Sequence, residues 1–179
     1  VTHYVALLRG INVGGKNALP MKDLAAMFSA AGCEDVVTYI QSGNVVFTAR
    51  PATAAKVPAA IAGAILRSRK YRIPVVMRSA DEVREVAARN PFLAAGHEPD
   101  TLHVAFLADK PKATGVASLD AGRSPPDELV VRGREVYLRL PNGVAPSKLT
   151  NAYFDSVLGT TSTMRNWRTV LKLLELVDR

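Results

Sequence analysis

Val36-Val37-Thr38-Tyr39-Ile40-Gln41-Ser42-Gly43-Asn44-Val45-Val46-Phe47-Thr48 holds two runs of β-branched and aromatic residues, 36–40 and 44–48, with three turn residues between them. Side chains of this kind fit a pleated, half-buried surface, and so compact a turn pairs the two runs as a hairpin. The flanks of the hairpin set the fold class. Upstream, Pro20 suits a first helical position, Met21, Leu24, Ala25, Met27 and Phe28 recur at helical spacing, and Gly32 ends the turn. Before that helix, Val5-Ala6-Leu7-Leu8 is a short apolar run stopped by Gly10, the pattern of a buried strand. Downstream, a helix from about Thr53 to Arg69 leads to a strand at Pro74–Arg78. The order is βαββαβ, a ferredoxin-like split βαβ unit with an antiparallel sheet.

Farther along, Ser79-Ala80-Asp81-Glu82 is a capping-box pattern opening a helix that ends near Asn90-Pro91. The remainder predicts a strand at Leu102–Leu107, a helix at Pro111–Leu119 and a strand pair, Leu129–Val131 and Glu135–Leu140, around Gly133. A helix at Ser147–Leu158 and a strand at Ser162–Met164 complete βαββαβ a second time. This is a repeat of elements without obvious repetition of residues. A last helix, about Asn166 to Val177, turns Leu171, Leu174 and one of Val170 or Val177 inward, with Lys172 and Glu175 outside. The expected architecture is α+β: one unit over residues 1–78, a connecting helix and loop over 79–100, and a second unit plus the C-terminal helix over 101–179.

A chain of 179 residues, 48% of them hydrophobic, can bury a proper core. The net charge of +7 favours anionic partners such as nucleotides, phosphorylated metabolites or RNA. The basic residues run from Arg9 to Arg179 without a tail, so a binding face and a compositional bias explain the excess equally well. Cys33 is the single cysteine, which excludes an internal disulfide and a thiolate-rich metal site and suits a reducing, cytoplasmic compartment. No run approaches the ~20 apolar residues of a membrane span, and no secretory signal pattern opens the sequence.

The most site-like stretch is Arg9-Gly10-Ile11-Asn12-Val13-Gly14-Gly15-Lys16-Asn17. From Gly10 it reads G-x-x-x-x-G-K-N, one residue short of the phosphate-loop pattern, in which glycines free backbone amides to cradle phosphates and lysine reaches the terminal ones. Asn17 stands where that pattern needs a magnesium-binding hydroxyl. The helix begins late, at Pro20, and the element order differs from a parallel doubly wound sheet, so a magnesium-nucleotide mechanism is disfavoured even though Asp109 ends an apolar strand. Two readings stay open for the loop: a tight β-to-α connection with solvated Arg9 and Lys16, or a seat for a phosphate-bearing anion.

Tyr39, Gln41, Ser42 and Asn44 at the hairpin end offer hydroxyl and amide groups that could orient a ligand, though Gln41 through Asn44 are also ordinary turn residues. In Arg165-Asn166-Trp167-Arg168, Asn166 can cap the last helix, Arg165 and Arg168 can meet an anion, and Trp167 offers a stacking face or a core plug. His3, His97 and His103 are scattered and support no metal site, and Cys33 reads as a small buried residue.

The stretches YVALLRGINVGGKNALPMKDLAAMF (4–28) and GCEDVVTYIQSGNVVF (32–47) resemble the opening of the domain of unknown function 1697 family of bacterial proteins. TTSTMRNWRTVLKLLEL (160–176), preceded by Ser147-Lys148-Leu149, resembles its closing signature, and Asn90-Pro91-Phe92 and Arg134-Glu135-Val136-Tyr137-Leu138 agree with it between. The resemblance implies a duplicated ferredoxin-like fold and carries no activity or cofactor. It marks Arg9, Gly10, Asn12, Gly14, Gly15, Lys16, Thr38, Tyr39, Gln41, Ser42, Gly43, Asn44, Arg165, Asn166 and Trp167 as places to look.

Three functions compete. The first is binding, with or without turnover, of a small phosphorylated or otherwise anionic ligand between the glycine loop, the hairpin end and the Arg165-Asn166-Trp167 corner. The second is an RNA-binding module, for which the strands carry few aromatics. The third is a partner-binding protein without a pocket.

Overall fold

The computed structural model describes residues 1–179. Its contacts divide the chain into two units, one of Val1–Arg84 with Leu173–Arg179 and the other of Glu85–Lys172. In the first unit, β1 (Thr2–Leu8), α1 (Met21–Ala30), β2 (Glu34–Tyr39) and β3 (Asn44–Ala49) are followed by α2 (Pro51–Ala54), α3 (Val57–Arg69) and β4 (Val75–Ser79). The strands make one antiparallel sheet in the order β2-β3-β1-β4. Alternate residues Ala6 and Leu8 of β1 and Val45 and Phe47 of β3 enter one apolar core with Leu24 and Phe28 of α1 and Ile61 and Ile65 of α3. The intervening Val5 and Leu7 are each 1% exposed, so β1 is buried on both faces, as its unbroken apolar run requires.

The second unit receives α4 (Ala80–Ala88) from residue 85 and continues with α5 (Pro91–Ala94), β5 (Leu102–Leu107), α6 (Ala113–Ala117), β6 (Glu128–Arg132) and β7 (Glu135–Arg139). It ends on α7 (Asn151–Leu158), β8 (Ser162–Asn166) and α8 (Trp167–Val177), whose residues from 173 onward belong to the first unit. Its antiparallel sheet runs β6-β7-β5-β8. Ala105, Leu107, Val136 and Leu138 pack there with Phe154 and Leu158. The registers of the two sheets correspond: Tyr4, Val5 and Ala6 face Ser79, Arg78 and Met77, and His103, Val104 and Ala105 face Asn166, Arg165 and Met164. The fold is thus α+β with two four-stranded antiparallel sheets, and no helix is long and apolar enough to cross a membrane.

Several elements depart from the sequence reading. The helix expected over 53–69 is two helices, because Pro58 must lie in a first turn; in a helix interior its ring would strike the carbonyl of Ala54. The helix expected from Ser147 begins at Asn151, where the Thr150 hydroxyl accepts from the Tyr153 N–H at 3.2 Å. Ile40, read as strand, has φ +46° and belongs to the turn. On α8 the buried positions are Trp167, Val170, Leu173 and Val177, while Leu171 is 46% exposed. Val170 and Val177 are buried as expected, and Leu173, not Leu171, completes the inward face with Trp167.

Candidate functional site

The loop between β1 and α1 is a built structure. Gly10, Asn12, Gly14, Gly15 and Asn17 all have φ between +52° and +81°. Positive φ at both central residues of Val13-Gly14-Gly15-Lys16 marks a type I′ turn, and the Lys16 N–H donates to the Val13 carbonyl at 2.9 Å. The Asn12 N–H donates to the Asn17 carbonyl at 3.1 Å, which closes a miniature hairpin. Side chains pin it at both ends. The Asn12 amide donates to the carbonyls of Leu19 (2.9 Å) and Gln41 (2.8 Å), its oxygen accepts from the Leu19 N–H (2.7 Å), and the Asn17 amide donates to the Gly10 carbonyl (2.8 Å). Ile11 and Leu19, 0% exposed, anchor the loop in the core, and Val13 through Lys16 stand out from it.

The geometry is unlike a phosphate loop. There, amides converge on the anion and a helix follows at once. Here the Asn12 and Lys16 amides are taken by carbonyls, and Asn17, Ala18, Leu19 and Pro20 separate the tip from α1. Asp109, the carboxylate considered for magnesium, accepts from the Thr160 hydroxyl at 3.3 Å within the second unit.

The hairpin end supports the loop from beneath. The Leu8 N–H donates to the Gly43 carbonyl at 2.9 Å, and a Cβ on Gly43 (φ +90°) would come within 2.7 Å of Leu8 Cβ and 3.0 Å of Ile11 Cδ1. Only glycine fits. Buried Asn44 donates to the Tyr39 carbonyl and the Ser42 hydroxyl, both at 3.1 Å. Gln41 lends its carbonyl to Asn12 and is itself exposed, as is Lys16; Arg9 is half-buried and its N–H donates to the Pro74 carbonyl at 3.2 Å. Of the expected residues in this unit, Asn12 and Asn44 therefore build the scaffold, while Lys16 and Gln41 reach solvent.

The remaining expected residues, Arg165, Asn166 and Trp167, lie in the second unit. Arg165 is 9% exposed and donates to the Thr163 hydroxyl (2.8 Å) and the Met164 carbonyl (2.9 Å). Burial pulls its guanidinium down to about 10, so it stays charged at neutral pH. The Asn166 oxygen accepts from the Thr169 N–H at 2.8 Å and caps α8. Trp167 is 1% exposed. With Asn166, Arg168, Asp100 and Leu171 it borders a cleft of about 340 Å³, across which Arg168 and Asp100 stand 3.6 Å apart.

Sequence reasoning set aside one residue that the fold places beside these. His103 is buried against a second cleft bordered by Asn166, and its Nδ1 makes no hydrogen bond. Burial lowers its pKa, opposed in part by the Thr101 carbonyl. The available signal was a histidine inside the otherwise apolar run Leu102–Leu107, a costly place for an imidazole.

No curated protein matches the chain in sequence. Among solved structures it is similar to the conserved bacterial protein SP0830 from Streptococcus pneumoniae, with a TM-score of 0.70 over 98% of each chain at 22% identity. At that identity the likeness speaks for the fold alone. Residues 1–137 match the pattern of a family described as a protein of unknown function, and the chain belongs to that family, DUF1697.

Proposed function

We propose that the protein binds a small phosphorylated or otherwise anionic ligand at the loop Arg9–Asn17 and the adjoining hairpin end, on a fold of two ferredoxin-like units. The strand orders β2-β3-β1-β4 and β6-β7-β5-β8 support the duplicated build. One observation carries the functional reading: an exposed lysine stands on a two-glycine tip that hydrogen bonds from Asn12 and Asn17 hold rigid. Open space surrounds Gly14 and Gly15, where a Cβ would meet nothing within 4 Å, so their backbone can be approached closely. Such pre-organisation lowers the ordering cost of binding. Lys16 supplies the charge, Gln41 and Ser42 supply polar contacts at the hairpin end, and no reaction is assigned. RNA binding across a sheet face gains little from the burial pattern, since Phe47 is 0% exposed and half-buried Tyr4 stacks on it.

Thermal-shift screening of nucleotides, inorganic pyrophosphate and sugar phosphates tests the proposal. A ligand at ~100 times its dissociation constant adds about 2.7 kcal/mol, a rise in midpoint of roughly 5–11 °C for a chain of this size. Lys16→Ala should abolish the rise. A rise that survives Lys16→Ala removes the loop from the site, and no rise with any of these anions removes the reading.

A further inference from the structure

The second unit holds a cleft of about 390 Å³ whose lining includes His103 of β5, Asn151 of α7, Asn166 of β8 and the apolar Val144, Leu149 and Met164. No lining residue is acidic. His103 is 9% exposed, with Nδ1 buried and unpaired. A buried polar atom without a partner is costly, so the imidazole that borders this cleft has hydrogen-bonding capacity left unmet. Asn166 has its oxygen committed to the Thr169 N–H, which fixes the amide orientation and leaves the NH2 group as a donor. Asn151 opens α7, whose first turn is the positive end of the helix dipole, and its side chain lies 3.1 Å from the Ser162 hydroxyl.

The first unit shows what the same place looks like without these groups. By register, Tyr4, Met77 and Ser79 stand where His103, Met164 and Asn166 stand, and they too border a cleft, of about 350 Å³. There the Tyr4 ring stacks on Phe47 at 5.8 Å, Ala54 and Pro58 line the wall, and Glu82 brings a carboxylate. Ser79 is spent on a closed capping box: its hydroxyl accepts from the Glu82 N–H at 3.3 Å, and the Glu82 carboxylate accepts from the Ser79 N–H at 2.8 Å. At these positions the second unit has an imidazole and an amide, and the lining of its cleft includes no acid.

We propose that the cleft of the second unit binds a small metabolite by an oxyanion group, held by His103, Asn166 and the first turn of α7, with the apolar remainder of the ligand against Met164, Leu149 and Val144. This site is separate from the Arg9–Asn17 loop and goes beyond the reading given above.

The test follows imidazole resonances by nitrogen-15 NMR while the full chain is titrated with inorganic phosphate and, separately, with butyrate. There are three histidines, so loss of one signal in His103→Gln assigns it. The His103 signal should move saturably; a response to phosphate alone marks a phosphate-headed ligand and a response to butyrate alone a carboxylate-headed one. Asn166→Asp and Asn166→Ser both retain a helix-capping oxygen while removing the amide donor, and both should weaken binding about tenfold or more. The His3 and His97 signals report whether each variant is folded. A His103 signal unmoved by both anions overturns the proposal, and so does binding undiminished in both Asn166 variants.

Discussion

Replacing Gly43 by alanine should loosen the footing of the whole glycine loop, and the size of the effect follows from the geometry. The added Cβ would sit 2.7 Å from Leu8 Cβ and 3.0 Å from Ile11 Cδ1, both on residues 0% exposed that have nowhere to retreat. Overpacking of this kind costs about 1–3 kcal/mol. Holding an alanine at φ +90° adds about 1–2 kcal/mol. The sum, about 2–5 kcal/mol, lowers the thermal midpoint by roughly 4–20 °C. Gly14→Ala is the matched control: its φ is +57°, but its Cβ would enter open space, so only the conformational cost of about 1–2 kcal/mol applies. The loss of unfolded-state freedom on going from glycine to alanine is common to both and cancels. Thermal melts of the two variants side by side measure the difference. If Gly43→Ala is no more destabilising than Gly14→Ala, the packing of Leu8 and Ile11 against the hairpin turn does not hold the loop.

Asn12→Ala removes three hydrogen bonds, to Leu19 twice and to Gln41 once, and should cost about 2–4 kcal/mol in urea denaturation; a loss under ~1 kcal/mol would mean the loop is held by other means. His103 has a pKa lowered in the folded state, so the unfolded chain binds the proton more tightly. Its contribution to stability is therefore full above about 6.5 and is lost as pH falls below it, and urea midpoints across that range should slope less in His103→Gln. Cys33 is 5% exposed and burial raises its thiol pKa, so an aromatic disulfide reagent should leave it unmodified in the native protein and react on unfolding; fast native reaction would contradict its placement.

Much of the fold can be read from particular residues. Thr2–Leu8, the hairpin and Leu102–Leu107 carry their strand character locally, through short apolar or β-branched runs that depend on no distant contact. The breaks before Pro58 and at Thr150 are equally local, but the alanine-rich run and Ser147 suggest longer helices when read on their own. The loop marked itself by glycine content, yet the work of Asn12 could not be read, since its partner Gln41 lies on another strand connection and is a backbone carbonyl, which any residue carries. His103 illustrates the same limit. A search for histidine pairs close in sequence misses an imidazole whose neighbour, Asn166, is brought alongside by strand pairing. Arg165 by type suits an anion and Trp167 either a stacking face or a core plug, and the fold buries both.

The first unit is assembled from two lengths of chain, Val1–Arg84 and Leu173–Arg179, with Arg84 meeting Asp178 at 2.8 Å. During translation, residues 1–84 therefore lack part of their own unit until residues 85–172 have been made. A ribosome stalled after Lys172 would carry a second unit with all its residues and a first unit still lacking its final seven. A fragment that stops at Arg84 would therefore not reproduce the first unit.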